Sequence, residues 1–349
     1  MNVLIDDRTA VNQTGIGRYT RTLAQLATQF ALPLQVRALS EAAPEFRPRD
    51  PLEAALTLPG LLQELDVDVY HSALFALPPV LPCPSVITIH DAIPCTHPEL
   101  TQPGFAALFQ REAGAAARRA ACVVTPSEHA AEQVSQALGL DRARVRVVPE
   151  APAGCFRPVP ANQVQATLAA RRIPNAYLLV VGSLEARKDP ETVLQALRLA
   201  PNRLHAVFVG PDAGFPLSER AADLGLGERV HALGHVADCE LACLYRGALA
   251  LVTASRAEGF GLPVVEAFAC ETPVVAAAAT ALPEVVGDAG LLFEPGDADG
   301  LAQALSELCD DPERGHALRR LGSARLAERF GPDAVCDALR SLYDSLPSR

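Results

Sequence analysis

Short apolar runs alternate along the chain with longer segments in which apolar and polar residues are mixed. The runs are rich in valine, leucine and isoleucine. Continuous apolar runs of this kind are typical of strands that are buried on both faces of a parallel sheet. We predict strands over residues 3–6, 34–39, 67–71, 86–89, 122–125, 145–148, 177–181, 204–209, 230–233, 248–252 and 273–278.

The mixed segments predict the helices that cover these strands. They span residues 18–30, 52–65, 100–120, 128–138, 190–199, 238–245, 264–270, 298–309, 312–330 and 334–346. Because the alternation of strand and helix is seen twice, it predicts an α/β fold with two doubly wound parallel sheets facing across a cleft. A proline-rich segment, residues 149–160, is the predicted hinge between two domains.

The composition is that of a globular protein large enough for two domains. The chain has 349 residues, of which 49% are hydrophobic and 20% charged, and its net charge of -11 argues against a nucleic-acid partner. No apolar run reaches the roughly 18 residues of a membrane span, and the N-terminus predicts a strand rather than a signal peptide, so we expect a cytoplasmic protein. The nine scattered cysteines predict reduced, buried thiols.

The segment that follows the strand at residues 248–252 carries the strongest signal for chemistry. Gly259 and Gly261 permit tight turns and close backbone approach, and Pro263 suits the first position of a helix. A helix N-terminus after a parallel strand favours an anion, most naturally a phosphate. The carboxylates of Glu258 and Glu266 frame this loop and are suited to accept hydrogen bonds from the hydroxyls of a sugar or ribose.

Two cations precede the predicted helix at residues 190–199. Arg187 and Lys188 oppose the helix dipole there, and a bound diphosphate would remove that conflict. The alternative is a surface ion pair with Glu185 or Asp189.

Polar residues also follow strands in the first half of the chain. Gly15 and Gly17 stand just before a predicted helix, either as a loop that approaches a ligand or as a flexible turn. His71 ends one predicted strand, and His90 and Asp91 follow another, at the edge where open α/β sheets bind ligands. An isolated histidine more often has a structural role. Two histidines at strand ends in one α/β domain make a functional role more plausible.

These motifs resemble those of a known enzyme family. The E-G-F-G-L-P-V-V-E segment and the P-E-V-V-G-D-A-G-L-L-F-E-P continuation are similar to the E-x7-E region of retaining glycosyltransferases of family four. The G-x-G-R-Y, H-D, T-P-S-E-H, G-S-L-x-x-x-K and G-P segments extend the resemblance over nearly the whole chain. The resemblance implies the GT-B fold, with an acceptor-side Rossmann-like domain at 1–155, a nucleotide-sugar-binding one at 156–330, and a helix at 331–349 that crosses back to the first domain.

The resemblance also implies roles for individual residues. Glu258 would bind hexose hydroxyls, Glu266 the ribose or another donor hydroxyl, and His90 the transferred hexose. Lys188 would bind the diphosphate with Arg187 as the second cation, because many relatives have arginine where this chain has Ser183. The family often has a further glycine at the position of Thr14. The other implied donor-binding residues are Gly15, Gly17, Gly182, Ser183, Gly210, Gly259, Phe260, Gly261 and Leu262, and His71 and Asp91 are weaker acceptor-side candidates.

The implied reaction is transfer of a hexose from a nucleoside diphosphate sugar to a glycan or lipid-linked acceptor, with retention of anomeric configuration. GDP-mannose is favoured over a UDP-sugar as donor, and no metal or other cofactor is expected, because the D-x-D triplets at 66–68 and 297–299 lack the context of a metal site. Peripheral contact with the inner face of the membrane stays open, since Arg111 and Arg118 share one predicted helix face. The alternatives are a nucleotide-sugar epimerase and a non-catalytic nucleotide-sugar-binding protein on the same scaffold.

Overall fold

The chain divides into two compact units. The first comprises Met1–Ala153 and Gly331–Arg349, and the second comprises Gly154–Phe330. The computed structural model describes residues 1–12, 15–30, 34–46, 48, 51–102 and 104–347, so Thr14 lies outside the described residues. The boundary between the units falls inside the proline-rich segment, and the C-terminal segment groups with the first unit.

The first unit is built on a six-stranded parallel sheet in the order β2-β1-β3-β4-β5-β6. Its strands are β1 (Asn2–Asp6), β2 (Gln35–Ala38), β3 (Val69–Ser72), β4 (Ser85–Thr88), β5 (Cys122–Thr125) and β6 (Val145–Val147). Its helices are α1 (Gly15–Ala27), α2 (Leu39–Ala42), α3 (Pro51–Glu64), α4 (Ile93–Thr96), α5 (Phe105–Arg119), α6 (Glu128–Leu138) and, from the C-terminal segment, α15 (Pro332–Asp344). The order of strands reverses between β1 and β3, which makes their carboxyl ends the expected ligand edge.

Alternate residues of β1 enter different hydrophobic clusters of the first unit. Val3 and Ile5 pack with α1 and with α15, whereas Leu4 packs with α3. Because successive side chains of a strand point to opposite faces, helices cover both faces of this sheet. Helices α5 and α6 contribute a third cluster against Ile87 and Val123.

The second unit has a six-stranded parallel sheet in the order β12-β11-β10-β7-β8-β9. Its strands are β7 (Tyr177–Val181), β8 (His205–Val209), β9 (Val230–Ala232), β10 (Ala250–Thr253), β11 (Val274–Ala277) and β12 (Leu291–Phe293). Its helices are α7 (Ala161–Arg171), α8 (Pro190–Leu199), α9 (Leu217–Asp223), α10 (Asp238–Gly247), α11 (Leu262–Ala269), α12 (Leu282–Val286), α13 (Ala298–Asp310) and α14 (Pro312–Arg325), with a π-helical turn at Leu326–Phe330. This is the Rossmann order, and its switch point lies between β7 and β10.

The prediction of an α/β fold with two parallel, doubly wound sheets is confirmed. Helices α2, α4, α7, α9 and α12 and strand β12 were not predicted from the sequence. The helix predicted at 100–120 begins only at Phe105, because Gly104 has a left-handed backbone (φ 79°) at the N-cap. The predicted cap of α6 is confirmed, since Ser127 Oγ accepts a hydrogen bond from the Ala130 N–H at 3.0 Å.

The placement of the two glycines before α1 was wrong. The helix begins at Gly15, so Gly15 and Gly17 lie in its first turn rather than in a preceding loop. A side chain at Gly17 would put its Cβ 2.0 Å from the backbone oxygen of Asn12, so only glycine permits this approach. Arg21 also holds the preceding segment, because its guanidinium donates to the backbone carbonyls of Ala10 and Asn12.

All nine cysteines lie within the described residues, and they are reduced thiols. The prediction that they are buried is wrong for Cys239, which is exposed at the start of α10, and Cys95, Cys155 and Cys309 are only partly buried. None of the helices in the described ranges combines the length and the apolar character that crossing a membrane requires.

Candidate active site

The switch point of the second unit brings together two loops that are far apart in sequence. One loop follows β7 and carries Arg187 and Lys188, and the other follows β10 and carries Glu258. Since β7 and β10 are parallel neighbours, both loops leave the same edge of the sheet. The predicted cations and the first predicted carboxylate are therefore in direct contact.

Glu258 is the centre of an ion-pair network. Its Oε1 accepts a hydrogen bond from Lys188 Nζ at 2.5 Å, and its Oε2 accepts one from Arg187 Nη1 at 3.2 Å. Its side chain is 13% exposed. Burial raises the pKa of Glu258, but the charges of Lys188 and Arg187 outweigh this effect and lower the pKa to about 2. Glu258 is therefore a carboxylate at neutral pH.

Arg187 makes further contacts that fix its guanidinium. Nη1 donates to the Ala257 carbonyl at 2.8 Å, and Nη2 donates to Glu185 Oε1 at 2.7 Å. The structure therefore contains the ion pair between Arg187 and Glu185 that the sequence offered as an alternative. It also contains the ion pair between Arg187 and Glu258. The same Glu185 oxygen accepts a hydrogen bond from Ser183 Oγ at 2.9 Å.

Asp189 places a negative charge at the N-terminus of α8. It adopts a left-handed backbone (φ 48°) and caps α8, where its Oδ1 accepts from the Thr192 N–H at 3.3 Å. Its buried carboxylate also accepts from Arg256 Nε at 3.1 Å. The chain thus supplies its own anion at the N-terminus of α8, so the position of Lys188 before this helix is not by itself unfavourable.

The glycine loop after Glu258 is buried. Gly261 has φ 108° and is the N-cap of α11, and Pro263 is the second residue of the helix rather than the first. Phe260 packs edge-on against Phe330, with ring centroids 5.6 Å apart. Gly259 and Leu262 are also buried, so this loop can offer backbone N–H groups to a ligand but little side-chain surface.

Glu266 lies on α11 with 0% of its surface exposed. Its Oε2 accepts a hydrogen bond from the hydroxyl of Tyr245, which is buried on α10, at 2.8 Å. The second carboxylate of the motif is thus held between two helices, and its contact with the donor stays a prediction.

The loops after β7 and β8 approach each other closely. Gly182 N–H donates to the Val209 carbonyl at 2.9 Å, and Gly210 N–H donates to the Gly234 carbonyl at the same distance. A Cβ at Gly210, where φ is 151°, would lie 1.9 Å from the backbone oxygen of Gly182. Glycine at 210 is required for these turns to pack, and its predicted contact with the donor stays a prediction.

His90 occupies the corresponding sheet edge of the first unit. Its Nδ1 lies 2.9 Å from Glu150 Oε1, and the ring of Tyr19 contacts it edge-on with centroids 4.7 Å apart. Nε2 is buried and makes no hydrogen bond of good geometry to the described residues, although the Ala73 carbonyl lies close enough to the ring to help raise its pKa. Burial lowers the pKa of His90, and the Glu150 carboxylate, helped by Asp91, outweighs burial and raises it. Asp91 Oδ1 accepts from the Ile93 N–H at the start of α4.

His71 lies in the core of the first unit with no exposed surface. Its Nδ1 is 2.7 Å from the Tyr343 hydroxyl and its Nε2 is 3.0 Å from Thr88 Oγ1. Burial lowers its pKa to about 3, so the ring is neutral. The acceptor-side role of His71 stays a prediction. Its hydrogen bonds to Tyr343 and Thr88 give it a structural role in the core.

The two D-x-D triplets have structural roles. Asp68 accepts a hydrogen bond from the Asn2 N–H at 2.7 Å, and Asp297 caps α13 by accepting from the Gly300 N–H at 2.9 Å. Within the described ranges, no three histidine, cysteine or acidic side chains form a group that could hold a metal ion.

Comparison with known proteins identifies the family. Residues 170–325 match the family described as "Glycosyl transferases group 1", and residues 18–151 match "Glycosyltransferase Family 4". An O-antigen chain mannosyltransferase B of Escherichia coli is 31% identical over 271 residues, which are 72% of this chain and 68% of the relative. The chain belongs to the group 1 glycosyl transferases.

A further relative supports this assignment, and a solved structure supports the fold. A D-inositol 3-phosphate glycosyltransferase 1 of Catenulispora acidiphila is 37% identical over 242 residues, 64% of this chain and 57% of the relative. The crystal structure of HepE from Anabaena in complex with UDP-glucose has a TM-score of 0.81 and 22% identity, covering 99% of this chain and all of that one. The predicted GT-B fold and enzyme class, a glycosyltransferase, are confirmed.

Sequence reasoning missed three contacts of this group 1 glycosyl transferase. Glu150 pairs with His90, Tyr245 binds Glu266, and Thr280 holds the backbone of Glu258. The composition contains one signal that points to Lys188. Lys188 is the only lysine among the 30 basic residues of the chain, so every other basic position uses arginine.

Proposed function

We propose that this protein transfers a hexose from a nucleoside diphosphate sugar to a glycan or lipid-linked acceptor, with retention of the anomeric configuration. The observation that carries the proposal is the contact of Lys188 and Arg187 with Glu258 at the carboxyl edge of a Rossmann-order sheet. Two fixed cations at such an edge suit a diphosphate, and a carboxylate beside them suits sugar hydroxyls.

In the proposed reaction, Lys188 and Arg187 stabilise the negative charge that grows on the leaving diphosphate. Preorganised charges of this kind lower the barrier most where charge develops. Glu258 binds hydroxyls of the hexose, and Glu266 supports the donor side. His90 contacts the transferred hexose through Nε2, which is the ring nitrogen that Glu150 leaves available.

The acceptor hydroxyl must lose a proton during transfer. We infer that a diphosphate oxygen takes this proton on the face from which the diphosphate departs. A retaining glycosidase instead uses a nucleophilic carboxylate roughly 5 Å from a carboxylic acid. Glu258 does not suit the role of a general acid, because its pKa of about 2 keeps it ionised.

We favour mannose from GDP-mannose over a UDP-sugar. Two relatives carry mannosyltransferase names, the O-antigen chain enzyme and an MMP alpha-(1->4)-mannosyltransferase of Mycolicibacterium hassiacum, which is 36% identical over 49% of this chain and 39% of its own length. The UDP-glucose complex of HepE supports the general class of donor.

A thermal-shift panel tests the donor. GDP, UDP, ADP and their common sugars are each added with and without EDTA, and a ligand at a hundred times its dissociation constant should add about 2.7 kcal/mol to stability. A selective shift with GDP-mannose supports the donor proposal, and a selective shift with a UDP-sugar contradicts it. Detection of a released epimer instead of a glycoside would favour the isomerase, and binding without turnover would favour the non-catalytic protein.

A further inference from the structure

Thr280 contacts the backbone of Glu258 twice through one hydroxyl. Thr280 Oγ1 accepts a hydrogen bond from the Glu258 N–H at 2.8 Å and donates one to the Glu258 carbonyl at 3.0 Å. Thr280 follows β11, and β11 is the parallel neighbour of β10, which precedes Glu258. The hydroxyl therefore joins two loops at the same edge of the second sheet.

The backbone of Thr280 is in an unfavourable region. Its φ is 49°, in the left-handed region, where a β-branched residue is a genuine outlier. Glycine would adopt this conformation more easily, but glycine has no hydroxyl. Strained residues of this kind persist where the surrounding structure holds them, and they are concentrated at functional sites.

Hydrogen bonds from neighbouring loops hold the segment around Glu258. The Arg256 N–H donates to the Arg187 carbonyl at 2.8 Å, and the Ala281 N–H donates to the Glu258 carbonyl at 3.4 Å. Gly261, three residues after Glu258, has φ 108°, a backbone conformation that other residues avoid. The carboxylate of Glu258 contacts Lys188 and Arg187, the cations assigned above to the diphosphate, and it also contacts Ser255. A contact to the backbone of Glu258 can hold the residue in place while its side chain changes partners.

We propose that Thr280 is a positioning residue that fixes Glu258 for sugar transfer by binding both its N–H and its carbonyl. The proposal rests on the proposed function, because it gives Glu258 a role at the hexose. A hydroxyl is the one side-chain group of this size that both donates and accepts, so serine can replace threonine and valine cannot.

The test compares four variants by the release of GDP from GDP-mannose and of UDP from UDP-glucose. Thr280→Val keeps the shape and removes both hydrogen bonds, so kcat should fall by about 10- to 100-fold, as expected for a misplaced reacting group. Thr280→Gly should lose as much activity while keeping its melting temperature, since the strain is relieved. Thr280→Ser should restore most of the activity. The matched control is Thr272→Val, which deletes the buried hydrogen bond to the Tyr245 carbonyl and should lower the melting temperature but not kcat.

Two readouts separate positioning from general damage. The dissociation constants of GDP and UDP should stay within about twofold of wild type in the Thr280 variants, because Lys188 and Arg187 are untouched. Hydrogen exchange at the Glu258 amide should be faster in Thr280→Val and Thr280→Gly than in wild type.

The outcomes distinguish this proposal from the proposed function. Inactive Glu258→Gln together with wild-type kcat in Thr280→Val and Thr280→Gly would overturn the role of Thr280 alone. Full activity in Glu258→Gln would overturn the role of Glu258 and, with it, that of Thr280. Unchanged exchange of the Glu258 amide in both Thr280 variants would also reject the proposal.

Discussion

Glu150 Oε1 lies 2.9 Å from His90 Nδ1, although the two residues are 60 positions apart in sequence. Because a carboxylate only accepts hydrogen bonds, Nδ1 carries the hydrogen and Nε2 faces away from Glu150. The side chain of Glu150 is 8% exposed and that of His90 is 17% exposed. This pair therefore sets both the orientation and the protonation of the histidine.

Glu150→Gln should lower the pKa of His90. In the folded protein this pKa lies above the ordinary value of 6.5, so protonated His90 stabilises the fold below pH 6.5 and that stabilisation is lost as the pH rises through the folded-state pKa. The stability difference between wild type and variant should therefore shrink as the pH rises from 6.5 through the folded-state pKa. An NMR titration of the histidine rings, assigned with His90→Gln, measures the pKa directly. An unchanged titration of His90 would contradict the assignment.

Lys188→Ala should weaken the binding of GDP and UDP by about 10- to 100-fold, the range expected for loss of a charged hydrogen bond. Because Lys188 is the only lysine, reductive methylation with ¹³C-formaldehyde labels a single side chain besides the N-terminus. The NMR signal of that side chain should shift when the nucleotide is added. The control is Arg198→Ala, which removes the same charge from an exposed position on α8. Equal affinities of the two variants would remove Lys188 from the diphosphate site.

Glu258→Gln should abolish transfer and yet bind bare GDP or UDP more tightly, by roughly threefold or more. The reason is that the carboxylate of Glu258 competes with a diphosphate for Lys188 and Arg187, and glutamine does not carry the competing charge. Isothermal titration calorimetry of both nucleotides measures the change. Weaker binding in the variant would mean that Glu258 supports the nucleotide rather than competing with it.

Tyr245→Phe should destabilise the second unit by about 1–3 kcal/mol, because the buried carboxylate of Glu266 loses a hydrogen-bond donor. Tyr177→Phe is the matched control, since its hydroxyl donates to the neutral Leu244 carbonyl at 2.7 Å and is equally buried. We expect the Tyr245 variant to unfold at lower urea than the Tyr177 variant. The reverse order would show that the Glu266 contact contributes little.

Incubation with EDTA should leave turnover unchanged, because Lys188 and Arg187 supply the positive charge that a metal ion would otherwise bring to the diphosphate. Activity is measured with and without added Mg²⁺ after treatment with the chelator. Loss of activity that Mg²⁺ restores would reject this expectation.

The positions of most strands were predictable, whereas their order was not. Strands such as β5 and β7 are fully or almost fully buried, so their continuous apolar runs matched the structure residue for residue. The neighbours of each strand in the sheet depend on long-range pairing that no local pattern contains. The contact between Glu258 and Lys188 follows from the pairing of β7 with β10 and could not be derived from spacing.

The missed elements and contacts have specific physical causes. Helix α12 has only five residues and includes Pro283, so it lacks the length that makes a helical period visible. Glu150 lies in a proline-rich segment that predicts a hinge, and its partner His90 follows a different strand. The conformation of Thr280 contradicts the preference of its residue type, and such conflicts are expected at functional sites.

Helix α15 constrains the order in which the two units can fold during synthesis. Its residues Val335, Leu339, Leu342 and Tyr343 complete a core cluster with β1 and α1, yet the ribosome makes them only after the whole second unit. Domains usually fold one after another as the chain emerges, from the N-terminus onward. Here the second unit can complete its core first, and the nascent first unit presents an apolar face that chaperones would have to protect until the last helix arrives.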